Sequence, residues 1–435
     1  MILLLLSAFA QEPPPVGAGI VLRPPVPEVY ALSDGTPVWI IEQHAVPLVR
    51  IELSLRQGYL SVSDPVAALL AGGLVGGQEQ SIGVGAARVW ADIEVLSGEE
   101  GDALAALRES LVAPRIRGSE VRRRRRQLSR ERAGLVGIPG RIHNTALSAA
   151  LFPDGHPLAL RPLALDYRRV TPERAEAVWS ELLDAGSPTI LVVGDTSAAE
   201  ILPLLEAHLL WLGGHGVSFD LPPPDWPERD VTLVDAPGGS RSWISLTLPA
   251  PGLGEPGLPA AEVAARILGG DFTSRLSAVL REEHGFVYDI YADLTAWPGM
   301  GRIEITCSVD NADLLGALTA IREVIESMEA APPGAAEIDA ARRAMVLQRA
   351  REMGSLAGLA GGYGAGQVYG LSPQQERWRF EAYDALTVEE IGEAAAEFSR
   401  SALWVITGDG VEIEPMLEAS GWAPDRIRSG WSVLP

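Results

Sequence analysis

Hydrophobic and polar positions alternate over Val49–Leu55. Val49, Ile51, Leu53 and Leu55 share one face, and Arg50, Glu52 and Ser54 share the other. That period of two predicts a strand buried on one side. The stretch Val29–Leu55 carries Asp34-Gly35 near its start, a strong turn signal that predicts a hairpin. Pro65–Gly73 is an Ala/Leu/Gly run with proline in its first turn, as a helix prefers. Val89–Val95 alternates again. Glu100–Leu111, Ser119–Leu135 and Arg141–Leu151 have helical spacing. Asn311–Met328 shows that spacing most cleanly. Leu314, Leu318, Ile321, Val324, Ile325 and Met328 form one apolar face, which predicts core packing.

The pattern occurs twice. Thr171-Pro172 starts a helix that leads into the apolar run Thr189–Gly194, closed by Asp195. Thr387-Val-Glu-Glu390 is a capping-box start, and its helix leads into Leu403–Gly408, closed by Asp409. The two units differ in length by two residues. Ile51–Leu55 corresponds to Ile244–Leu248, and Ala67–Gly73 to Ala264–Gly270. A period near 200 residues is a duplicated domain rather than a solenoid. Gly213–Glu228, rich in Gly, Pro and Asp, reads as the linker. The expected organisation has four parts. Residues 1–27 are a leader and Pro-rich segment, 28–212 an N-terminal domain, 213–228 the linker, and 229–435 a C-terminal domain. The expected class is α+β, each domain a mostly antiparallel sheet packed with helices.

The chain length of 435 residues suits two domains. Hydrophobic residues make up 47% and charged residues 21%, a globular composition. No internal apolar run approaches the ~18 residues of a membrane-spanning helix. A net charge of −22 argues against a nucleic-acid partner. Arg122–Arg126 is a local basic run, either a solvated or interface face or a site for an acidic partner. A lone cysteine, Cys307, rules out an intrachain disulfide and reads as a buried strand residue. At the N-terminus, Ile2–Leu6 is a short apolar core and Ala8-Phe9-Ala10 fits a small-x-small cleavage pattern. It reads as a short signal peptide, which predicts a periplasmic or secreted protein. A cytoplasmic one is expected if the segment is not a signal.

Chemistry concentrates in Ala264–Tyr291, read as the end of an apolar helix, a Gly-Gly break, a second helix and a strand. Leu268-Gly-Gly-Asp-Phe-Thr-Ser-Arg-Leu276, Leu280-Arg-Glu-Glu-His-Gly-Phe-Val-Tyr288 and the flanking strand Gly299–Val309 resemble the pitrilysin/insulinase family of metallopeptidases, the inverzincins. The likeness is greatest to the shorter bacterial members and to the core proteins of complex III and the mitochondrial processing peptidase. It covers most of Val231–Leu417 and, more weakly, Val29–Gly73 and Phe152–Asp195. The resemblance implies a clamshell half. It also implies that Arg281 and Tyr288 are an Arg/Tyr pair supplied to a substrate cleft. An arginine offers planar donors to a peptide carbonyl, and a tyrosine hydroxyl can stabilise an oxyanion.

The family's zinc motif, H-x-x-E-H on a helix, falls on Ala68-Leu-Leu-Ala71-Gly72. Ala68, Ala71 and Gly72 can neither ligate metal nor accept a proton. The six histidines, His44, His143, His156, His208, His215 and His284, include no pair three or four residues apart. Glu131 falls near the family's third ligand and otherwise reads as a surface salt-bridge partner. The resemblance therefore implies a zinc-less subunit with no metal of its own. Zinc is expected on a partner subunit of the same family in a heterodimer that cleaves peptides. The alternative is a non-catalytic scaffold of the same fold, like the respiratory complex core subunits.

Overall fold

A computed structural model describes residues 22–75, 80–114, 116–133, 139–154, 156–160, 164–210, 223–224 and 226–430. The leader expected at 1–10, most of the Pro-rich segment, His215 and most of the 213–228 linker lie outside these residues.

Two six-stranded sheets form the frame. The first is built from β1 (Glu28–Ala31), β2 (Pro37–Glu42), β3 (Leu48–Leu55), β4 (Gln80–Val84), β5 (Val89–Leu96) and β6 (Pro188–Gly194). The second is built from β7 (Arg229–Asp235), β8 (Arg241–Ala250), β9 (Ile290–Trp297), β10 (Met300–Asp310), β11 (Ala402–Gly408) and β12 (Arg426–Ser429). Their orders are β1-β2-β6-β3-β5-β4 and β12-β7-β11-β8-β10-β9. The repeat seen in the sequence is thus a repeat of topology, with β2, β6, β3, β5 and β4 matched by β7, β11, β8, β10 and β9. Pairing is mostly antiparallel. The parallel contacts are β2–β6 in one sheet and β7–β11 and β7–β12 in the other. The α+β class holds.

The hairpin expected over Val29–Leu55 is only half right. β1 and β2 pair across the Asp34-Gly35 turn, where Leu32 N–H donates to the Thr36 carbonyl. β3 does not join them, because β6 lies between β2 and β3. The long-range strand wins that place because it is apolar on both faces, buried over all of Pro188–Gly194.

Each sheet buries one face under helices of its own half. Val49, Ile51, Leu53 and Leu55 pack with Leu70, Leu104, Leu107, Trp179, Leu182 and Leu205. Ile244, Leu246 and Leu248 pack with Leu268, Leu318, Ile321 and Ile391. The apolar face of Asn311–Met328 lies in that second core, as its spacing predicts.

The opposite faces are covered crosswise. Ile142, Ala146, Leu147 and Leu151 of the Pro139–Leu151 helix, in the first half, pack on Val234, Leu403 and Val405 of the second sheet. Leu356, Leu359, Ala360 and Tyr363, in the second half, pack on Trp39, Ile41, Leu191 and Val193 of the first. Polar ties reinforce both crossings. His143 is fully buried between Thr407 Oγ1 and Ser245 Oγ, each 2.8 Å from a ring nitrogen. Gln367 Nε2 donates to the Ile190 carbonyl at 2.8 Å. The first described residues also cross over: Arg377 Nη2 donates to the Pro24 carbonyl at 3.0 Å, and the Tyr363 hydroxyl donates to that of Pro25. A linear division at 213–228 therefore separates the strands of the two sheets but not the helices that cover them.

Candidate functional site

The Leu258–Gly269 helix is apolar along most of its length and sits in the second core. The chain then turns through Asp271–Ser274. Asp271 Oδ1 accepts from Thr273 N–H at 2.9 Å and from Thr273 Oγ1 at 2.6 Å. Arg266 Nη2 donates to Asp271 Oδ2 at 3.3 Å. Such an Asx turn fixes a short loop without burying it, and it leaves Phe272 60% exposed.

A short helical turn, Arg275–Ser277, opens into a π-helical turn over Ala278–Glu283, with His284 N–H donating to the Val279 carbonyl at 3.0 Å. Leu276 and Leu280 point inward and are fully buried. Arg281 faces out. Val287 and Ile290 return to the core, and Tyr288, just before β9, is 81% exposed. The expected second helix is thus shorter and wider than regular, and Tyr288 lies in the loop rather than in the strand. π-turns of this kind re-aim side chains and are frequent at functional sites.

The fold brings Arg281 and Tyr288 together. Arg281 Cζ lies 5.7 Å from the centroid of the Tyr288 ring and 4.6 Å from that of Phe272. Its nearest carboxylate is Glu282, with Nε 3.5 Å from Oε1. Among the described residues its two terminal nitrogens meet no protein acceptor. Phe272 is the member that sequence reasoning missed; its signal was an aromatic residue in a short polar loop after a helix. Arg275 is separate. Its Nε and Nη2 donate to the two carboxylate oxygens of Glu337 at 2.8 and 2.9 Å, and Nη1 to the Ala331 carbonyl at 2.9 Å. Hydrogen bonding from Arg275 holds the Glu337 carboxyl below its usual range. Arg275 is a structural tie.

The zinc-motif positions form the end of the Pro65–Gly72 helix, started by Asp64, whose Oδ1 accepts from Ala67 N–H at 3.0 Å. Ala68 and Ala71 are fully buried in the first core. Gly72 is buried against β4, where a Cβ would lie 2.6 Å from Val84 Cγ2. Side chains able to bind a metal are absent at these positions, and an imidazole at 72 has no room. Glu131 is exposed and accepts from Gln127 Nε2 at 2.9 Å. No group of three or more His, Cys, Asp or Glu residues suited to a metal occurs among the described residues. These positions do not fit zinc.

The arginine run divides. Arg124 lies against Gly73, Arg125 donates to the Arg168 carbonyl, and Arg122, Arg123 and Arg126 face solvent. Cys307 is buried in β10, and burial pushes its thiol up to about 12.

Residues 169–345, which contain the Phe272–Arg281–Tyr288 cluster, match a family described as peptidase M16 inactive domain. Over that segment the chain is similar to the peptidase M16 family. This agrees with the pitrilysin/insulinase resemblance of its motifs. The M16 fold extends well beyond the matched segment. The peptidase M16 inactive domain from Pseudomonas fluorescens superposes with a TM-score of 0.80 at 20% identity, over 88% of this chain and 97% of that one. A chain of complex III2 from Candida albicans gives 0.72 at 16% identity, over 88% and 96%. The first half of the periplasmic protease PqqL from Escherichia coli gives 0.68 at 14% identity, over 93% and 95%. Against the longer PqqL structure the same fold spans 49% of that chain. These likenesses are of fold. Among curated protein sequences, none matches significantly.

Proposed function

We propose that this chain is the zinc-less subunit of a heterodimeric M16 peptidase that cleaves extended or unfolded peptides. One contrast carries the reading. Ala68, Ala71 and Gly72 are packed into the core, whereas a half-buried Arg281 and an exposed Tyr288 stand together, the terminal nitrogens of Arg281 meeting no acceptor among the described residues. Two exposed aromatic rings, Phe272 and Tyr288, grouped about one guanidinium are the kind of patch that marks a contact surface. That the fold matches half of PqqL supports a working unit of two such halves. In it, Arg281 would hold a substrate carbonyl through its free terminal nitrogens, and the Tyr288 hydroxyl would donate to the oxyanion. The partner subunit would supply zinc and the base. The apolar Ile2–Ala10 segment supports export, so the assembly would work in the periplasm or outside the cell.

The test is co-purification with a same-family chain carrying H-x-x-E-H, followed by zinc analysis of each subunit. The lone chain should hold no zinc and cleave nothing. In the complex, Arg281→Ala or Tyr288→Phe should lower turnover by about 10²–10³, the usual cost of one oxyanion donor, with zinc content unchanged. Full turnover in both variants would remove the site assignment. Zinc or activity in the lone chain would refute the division of labour. The rival is a scaffold that binds no substrate, which the likeness to a complex III2 chain fits as well. It predicts stable assembly with no activity in any pairing.

A further inference from the structure

Phe272 is the unexplained residue of the cluster. A phenylalanine 60% exposed in a loop that Asp271, Thr273 and Arg266 hold rigid contributes nothing to the core. It sits closer to Arg281 than Tyr288 does, at 4.6 against 5.7 Å from Cζ to ring centroid. Two rings therefore flank one guanidinium. The usual way to fix an arginine is to spend its donors on carboxylates or carbonyls, as Arg275 does here with Glu337 and Ala331. Arg281 lies over two aromatic rings instead. A planar cation stacked on aromatic faces keeps its edge, where the N–H groups lie, open to a ligand. Glu282, at 3.5 Å from Nε, restrains one end and leaves the terminal nitrogens free.

We propose that Phe272 is a positioning residue that holds Arg281 flat, and that Phe272 and Tyr288 give the site a preference for peptides with an aromatic residue next to the bound carbonyl. The positioning part stands on geometry alone; the peptide part rests on the function proposed above. The chemistry is mutual: the guanidinium takes the carbonyl oxygen on its edge, and the exposed ring surfaces take the neighbouring aromatic side chain by stacking. An acidic side chain there has no ring face to stack and would lie near the Glu282 carboxylate, 3.5 Å from Arg281 Nε.

The experiment uses the full chain labelled with ¹⁵N at arginine. The Arg281 Nε–H resonance, assigned by its loss in Arg281→Lys, should be shifted upfield by the two rings and exchange slowly with water. Phe272→Ala should move it downfield and speed its exchange, and Phe272→Trp should restore both. Titration with acetyl-Gly-Gly-Phe-Gly-Gly-amide and its Asp counterpart reads the preference. Phe272→Ala should weaken the Phe peptide about fivefold more than the Asp peptide, the size of one aromatic contact. An Arg281 resonance that does not respond to Phe272→Ala overturns the positioning role, even if Arg281→Ala abolishes turnover. Equal binding of the two peptides by the unsubstituted chain overturns the preference. A normal turnover of Arg281→Ala in the two-subunit complex strikes the function proposed above, while the resonance still decides on Phe272.

Discussion

His143 offers a direct measure of how strongly the two halves hold each other. It belongs to a first-half helix, yet both ring nitrogens bond to hydroxyls of the second sheet, Thr407 and Ser245, at 2.8 Å each. Burial depresses its pKa from the ordinary 6.5 to about 3, because no counter-charge compensates the lost hydration. The sign follows. Between pH 6.5 and 3 the folded chain keeps His143 neutral while the unfolded chain binds a proton. The unfolded state gains protons, so stability contributed by neutral His143 is present above pH 6.5 and falls on acidification. At ~1.36 kcal/mol per pH unit, two units below 6.5 remove about 2.7 kcal/mol. His143→Gln keeps a polar side chain of similar reach without the titration. It should cost about 1–2 kcal/mol at pH 7, for one imperfectly replaced pair of hydrogen bonds. The cost should vanish between about pH 6 and pH 5 and stand reversed by about pH 4.5. The assay is urea unfolding followed by tryptophan fluorescence at several pH values. Carboxylates titrate in both proteins and cancel in the difference. Parallel stability–pH curves for the two proteins would refute the argument.

Two further outcomes test the packing. Rebuilding the metal motif as Ala68→His, Ala71→Glu, Gly72→His should yield a protein without stoichiometric zinc and destabilised by roughly 3 kcal/mol or more, since these side chains must enter a filled core; elemental analysis with thermal melting checks it, and one bound zinc at an unchanged melting temperature would contradict it. Gly364 faces the first sheet so closely that a Cβ would lie 2.4 Å from Glu52 Oε1. Gly364→Val should therefore cost about 1–3 kcal/mol and speed hydrogen exchange over β6 and residues 356–368; protection equal to that of the unsubstituted chain would show that the crosswise docking contributes nothing.

What the sequence determined by itself is local and periodic. Alternation marked β3 and β5, helical spacing over Asn311–Met328 marked the helix found at Leu314–Ala330, and Thr387 with Glu390 marked a capping box that the fold contains. These signals survive because each depends on neighbours within a turn or two of chain. The repeat was legible for the same reason, since both copies use the same local code. The loss of metal-binding side chains at Ala68, Ala71 and Gly72 needed only residue identity and a resemblance. The tertiary structure alone decided three things. It inserted β6 between β2 and β3, because an apolar strand with two buried faces takes the central place. It sent the Pro139–Leu151 helix and residues 356–368 to the opposite halves. No periodicity encodes which of two similar sheets an apolar face will cover. It also set Phe272 against Arg281, nine positions on, through an Asx turn and a π-helical turn whose geometry no residue spacing announces. The pair Arg281 and Tyr288 could be named from the chain. That Arg281 lies over two aromatic rings, with its terminal nitrogens meeting no acceptor among the described residues, is a property of the fold.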